Sequence, residues 1–151
     1  MAVNYGLGGF DNGTAYVNGA NSVTTIVSIS AADEWMAIEV DWVVDPFRNF
    51  NNTAENFSPQ IDGYYYVKYS VTTTDATNDD LEIGIMVGGT TVLSGGRQTA
   101  NSKAGDYFTT NSSTIVKIRG GTLIGLAARN LSDTSDISVE NATINIIRVG
   151  D

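Results

Sequence analysis

The chain of 151 residues contains no cysteine, no histidine and only two prolines. Without cysteine there are no disulfides, no thiolate metal sites, no iron–sulfur clusters and no cysteine nucleophile. Without histidine, Ser–His–Asp hydrolysis, imidazole acid–base catalysis and His-ligated zinc, copper or haem are excluded too. Basic residues are also scarce. Eight Lys and Arg stand against 17 Asp and Glu, for a net charge of −9. Such a surface repels phosphate backbones and anionic lipid, so neither nucleic acid nor a membrane is expected as a partner. No apolar run reaches the ~20 residues of a membrane-spanning helix. Residues 1–10 (MAVNYGLGGF) lack the basic n-region and apolar h-region of a secretory signal, so synthesis in a reducing cytoplasm is expected. The six Asn-x-Ser/Thr triplets, at Asn12, Asn51, Asn56, Asn111, Asn130 and Asn141, are then expected to stay unglycosylated.

What is present is β-patterned. Residues 22–30 (SVTTIVSIS) are dense in β-branched side chains. In 35–42 (WMAIEVDW), Met36, Ile38, Val40 and Trp42 alternate with Ala37, Glu39 and Asp41. After a Pro- and Asn-rich loop over 45–56 and the Asp62-Gly63 turn signal, 64–73 (YYYVKYSVTT) puts Tyr65, Val67, Tyr69 and Val71 in phase. Further strands are expected at 81–87, 90–93, 106–110, 114–118, 122–128 and 138–149, with 94–105 and 131–135 as loops. No window carries a helical stripe. Eight to ten short strands separated by Gly, Asn and Asp turns predict a single all-β domain, a jelly-roll β-sandwich over residues 22–151. Residues 1–21, rich in Gly and Asn, are read as a flexible or docking N-terminal arm whose aromatics Tyr5, Phe10 and Tyr16 are spaced to enter separate pockets.

The candidate chemistry is thin. Glu39 and Asp41 share a polar strand face but no cleft is implied, so a carboxylate-pair hydrolase is not expected. Asp75, Asn78, Asp79 and Asp80, and again Asp133 and Asp136, offer hard oxygen ligands of the kind calcium takes, yet the spacing of a calcium loop is missing and solvated turns account for them. Gly-rich stretches at 6–9 and 94–96 lack the Lys-Ser/Thr and helix of a phosphate cradle. Trp35, at a strand start, is the one candidate for a sugar platform. No catalytic residue, cofactor or metal ligand is therefore assigned.

The order of phrases over 36–149 resembles the tumour necrosis factor and complement globular-head superfamily. Residues 36–44 (MAIEVDWVV) look like its early apolar strand, followed by an Asn-rich loop. Phe57-Ser58-Pro59 with Gly63-Tyr64-Tyr65-Tyr66-Val67 resembles its Phe-x-x-Pro and Gly-x-Tyr-x-Phe signature, although Pro59 comes one position early and Val67 replaces an aromatic. Residues 81–93 resemble the following hairpin, with Gly88-Gly89 at its turn. Residues 112–126 resemble a Ser-rich strand, turn and apolar strand, with Gly121-Thr122 in place of Gly-Asp, and 142–149 (ATINIIRV) the last core strand.

The resemblance implies a compact homotrimer, with Tyr64, Tyr66 and Tyr107 in the contact. It does not by itself imply a function. With no collagen stalk or anchor read from the sequence, the expectation is a structural virion protein, made in the host cytoplasm. It would be a trimeric capsid decoration (cement) protein, on a bacteriophage or other particle, that docks on the major capsid protein through its arm. The alternative is a trimeric receptor- or carbohydrate-binding head.

Overall fold

The computed structural model describes residues 13–53, 55–74, 78–101 and 103–151. Thirteen strands and no helix occur among them: β1 (Tyr16–Asn21), β2 (Thr25–Val27), β3 (Met36–Ala37), β4 (Val43–Arg48), β5 (Phe50–Asn52), β6 (Phe57–Pro59), β7 (Gly63–Thr74), β8 (Asp80–Val87), β9 (Thr91–Val92), β10 (Gln98–Asn101), β11 (Phe108–Ile118), β12 (Ile124–Asn130) and β13 (Ile137–Gly150). Every pairing is antiparallel. One sheet has the order β11-β7-β13-β1-β4, with β2 also on β13. The other runs β10-β8-β12-β6-β5, with β3 on β12 and β9 on β8. The two sheets stack as a jelly-roll sandwich, and its core is the alternate residues of the long strands.

Strand β7 shows how the pattern becomes a layer. Tyr65, Val67, Tyr69 and Val71 are all buried, while Tyr64 and Lys68 are exposed and Tyr66 is half-buried. From the opposing sheet Leu81, Ile83, Ile85, Ile124 and Leu126 meet them. A buried tyrosine must place its hydroxyl, and both do so on main-chain carbonyls. The Tyr69 hydroxyl donates across the sandwich to the Ile83 carbonyl at 2.8 Å, and the Tyr65 hydroxyl donates to that of Ile61 at 2.6 Å. Burial pushes both phenols above their ordinary range.

Four expectations are corrected here. Tyr16–Asn21 is not arm: it is β1, hydrogen-bonded on both sides between β13 and β4, and the folded unit begins before Ser22. Gly19 made this segment look like a leader, yet glycine is required there. A Cβ would stand 2.6 Å from the Phe57 ring and 3.2 Å from Ile144. The 45–56 loop contains strands β4, β5 and, just beyond, β6, because Asn-rich edges can pair without any apolar period. Residues 108–118 form one strand rather than two, since the Asn111-Ser112-Ser113 interruption is tolerated on the β11 edge, and the expected start at 106 is two residues early. Residues 98–101, within the expected loop, form β10. Conversely, 38–42 keep the expected alternation, with Ile38 and Val40 buried, although β3 itself spans only two residues.

Candidate interaction face

The side of the sandwich formed by the β11-β7-β13-β1-β4 sheet presents its outward residues in cross-strand rows. Register aligns Ile115 with Tyr66, Tyr66 with Ile147, and Ile147 with Tyr16. Ile115 is 62% exposed and Ile147 48%, and among the described residues no strand covers either. One row on, Ser113, Lys68, Asn145 and Asn18 align, and Asn145 donates to the Asn18 side chain. Beyond lie Asn111, Ser70, Thr143 and Ala20, then Thr109, Thr72 and Asn141. On the other flank Lys117 faces Tyr64, its ammonium 5.4 Å from the ring centroid. No carboxylate occurs in these rows, although acidic residues outnumber basic ones 17 to 8 in the chain.

Two hollows indent this face. One, of about 360 Å³, is walled mainly by Tyr16, Pro46, Tyr66, Asn145 and Ile147, with Lys68 at its margin. The other, of about 590 Å³, lies between Ala20, Val43, Asn141 and Thr143. Tyr64 and Tyr66, singled out from the sequence, thus lie together on this face, and Tyr16 joins them as part of β1. Tyr107 does not join the row. It is exposed ahead of β11, whose first residue pairs with Thr73. Tyr5 and Phe10 lie outside the described residues. Sequence reasoning missed Ile115 and Ile147, whose signal was their place out of phase with half-buried Val116 and buried Ile146.

The other candidate constellations are spent on the fold. Trp35 is half-buried, with the guanidinium carbons of Arg129 and Arg97 over its ring at 4.6 and 5.5 Å, so it is not an open stacking platform. Arg129 also pairs with Glu82 at 2.5 Å and Asp33 at 2.6 Å. Glu39 and Asp41 are exposed. Asp79 is buried and accepts from the Asn130 amide at 2.8 Å, as does Asp133 at 3.1 Å. The Ser135 N–H at 2.6 Å, with help from its hydroxyl, holds the Asp133 carboxyl below the usual carboxylate range. Asp80 accepts from Asn101, and Asp136 from the Ile29 N–H. Among the described residues no three acidic side chains converge as a metal site, and Asp75 lies outside them.

The architecture defines a class: a two-sheet, all-antiparallel jelly roll with an apolar row across one outer face. Solved structures place that class. Murine APRIL at pH 5.0 superposes with a TM-score of 0.62 at 10% identity, covering 90% of this chain and 99% of that one. The Eiger TNF of S. frugiperda gives 0.60 at 19% identity, over 91% and 92%. The globular domain of zebrafish complement 1qA gives 0.61 at 8% identity, over 89% and 97%. The chain has the jelly-roll fold of the tumour necrosis factor and complement globular-head superfamily. No protein-family model matches the sequence, and no curated protein is significantly similar to it.

Proposed function

We propose that this chain is a non-enzymatic, self-associating jelly roll that forms a homotrimer and acts as a decoration protein on a capsid shell. The observation that carries the reading is the Ile115–Tyr66–Ile147–Tyr16 row, an apolar stripe four strands wide on an open sheet face. Isolated surface apolar residues are ordinary, but a contiguous stripe flanked by hollows is the mark of a contact surface. Burying one such side chain fully is worth roughly 1.5–3 kcal/mol, so four from each copy supply a substantial part of an association energy. The relatives in fold support a head-like module, and the resemblance noted above supports three copies. A net charge of −9 keeps such an assembly soluble, which suits a coat exposed to solvent.

The trimer is tested by light scattering behind a sizing column: three times 16.0 kDa is expected at micromolar concentration, and a monomer mass defeats the reading. The capsid role is tested by mixing purified protein with undecorated particles and sedimenting them. Saturable co-sedimentation in large copy number is expected, and none at all removes the decoration reading while leaving the trimer standing.

A further inference from the structure

Charge is spread unevenly along the chain. The first 47 residues hold six Asp and Glu and no Lys or Arg, and Arg48 is the first basic residue. Part of this acidic stretch passes from β2 on one sheet to β3 on the other. A hollow of about 240 Å³ opens between those two strands, lined by Ile26, Val27, Ser28, Met36, Ala37 and Glu39. Its lining offers apolar surface, with Ile26 57% exposed and Met36 half-buried. Its rim is acidic. Ile38 and Val40 are buried, so Ala37, Glu39 and Asp41 alternate with them outward, their Cα atoms about 6.5 Å apart. Among the described residues, neither the Glu39 nor the Asp41 carboxylate has an ion pair or a hydrogen bond. The cation on the adjoining strand β12, Arg129, is already taken by Glu82 and Asp33.

The main chain is open at the same place. Among the described residues β2 pairs only with β13 and β3 only with β12, which leaves each with an edge that no strand covers. An uncovered edge beside an apolar hollow is where an extended peptide can add as a further strand. Unpaired carboxylates there repel another copy of this acidic chain and favour a cationic occupant.

We infer that this groove binds a basic, extended segment of a partner protein, added along the free edge of β2. Alternate side chains of that segment are apolar and rest in the hollow beside Ile26. Those between are Lys or Arg and reach Glu39 and Asp41. The site lies apart from the Ile115–Tyr66–Ile147–Tyr16 row, and it needs neither the trimer nor the capsid reading.

The test titrates the intact protein against a fluorescein-labelled peptide of Val-Lys repeats and reads fluorescence anisotropy. Saturable binding is expected, weakening as salt is raised. Glu39→Gln combined with Asp41→Asn, both at exposed side chains, should weaken it about tenfold with the melting temperature unchanged. Asp106→Asn, at an exposed carboxylate ahead of β11, should leave it as it is. In isotope-labelled protein the bound peptide should shift the amide resonances of residues 25–28 and 37–41. Shifts confined to the β11-β7-β13-β1 face, an unchanged affinity for the double variant, or the same loss in Asp106→Asn would each overturn the inference. So would the absence of saturable binding, and none of these results touches the trimer.

Discussion

At the scale of single residues, the buried tyrosines and two hydrogen-bonded carboxylates carry opposite pH signatures. Tyr69 stays neutral in the fold because burial, reinforced by nearby Glu82, opposes its ionisation. A raised folded pKa means that its contribution is intact below the unfolded value near 10 and is lost as pH climbs beyond it. Tyr69→Phe should cost about 1 kcal/mol at neutral pH through the lost bond to Ile83, yet flatten the alkaline decline, both read from urea melts at pH 7 and 11. Asp133 and Glu140 act the other way. The hydroxyls of Thr74, Ser138 and Thr24 stabilise the Glu140 carboxylate and lower its pKa, as Ser135 does for Asp133. Lowered folded values give stability that is present above about pH 4 and is lost as pH falls through the folded pKa. Glu140→Gln should therefore shrink the acid sensitivity of the melting temperature between pH 5 and 3. Both phenols were legible as core in the alternation of 64–73. The carboxylate partners were not: Thr24 and Thr74 reach Glu140 from positions distant in the chain, and the turn that aims the Ser135 N–H at Asp133 is not spelled out by composition.

At the scale of elements, legibility follows amphipathic contrast. Strands β7, β8 and β13 alternate apolar with polar side chains and were readable from period alone. Strand β1 was not: its inward positions are Val17, Gly19 and Asn21, two of them without apolar bulk, so no period of two emerges. Tertiary context decides it, since Gly19 lets β1 pass close to Phe57 and Trp42, and Asn21 donates to the Asp41 carbonyl at 2.9 Å. Gly19→Val should destabilise by roughly 1–3 kcal/mol through overpacking, measured by thermal unfolding. Removing residues 1–21 takes away a strand hydrogen-bonded on both sides, and the truncated chain should fail to give a cooperative melt. A sharp transition at the full-length temperature would show that the sheet closes without β1. The outward stripe was half visible. Tyr64 and Tyr66 fall out of phase with the core within one strand, whereas the alignment of Ile115, Ile147 and Tyr16 depends on register, which a single sequence does not spell out.

At the scale of the whole molecule, acidic residues outnumber basic ones 17 to 8, and Asp33, Asp79, Asp80, Glu82 and Asp133 already have polar partners. Those carboxylates are engaged with Asn130, Asn101, Arg129 and main-chain N–H groups, so stripping divalent ions with EDTA should leave the melting temperature unchanged; a marked fall would return calcium to the Asp79–Asp80 loop. One edge of the face has a further meaning for the life of the protein. Among the described residues, strand β11 runs 11 residues in unbroken register with β7 and pairs with no other strand. It carries no proline and no bulge, the devices by which natural sheets blunt such borders. On the proposed self-association, a copy freed from its neighbours offers an open template on which another chain can stack. A dye that reports cross-β stacking should respond on long incubation to a Tyr66→Asp variant, which disrupts the apolar row but leaves β11 unaltered, and stay dark with the intact protein.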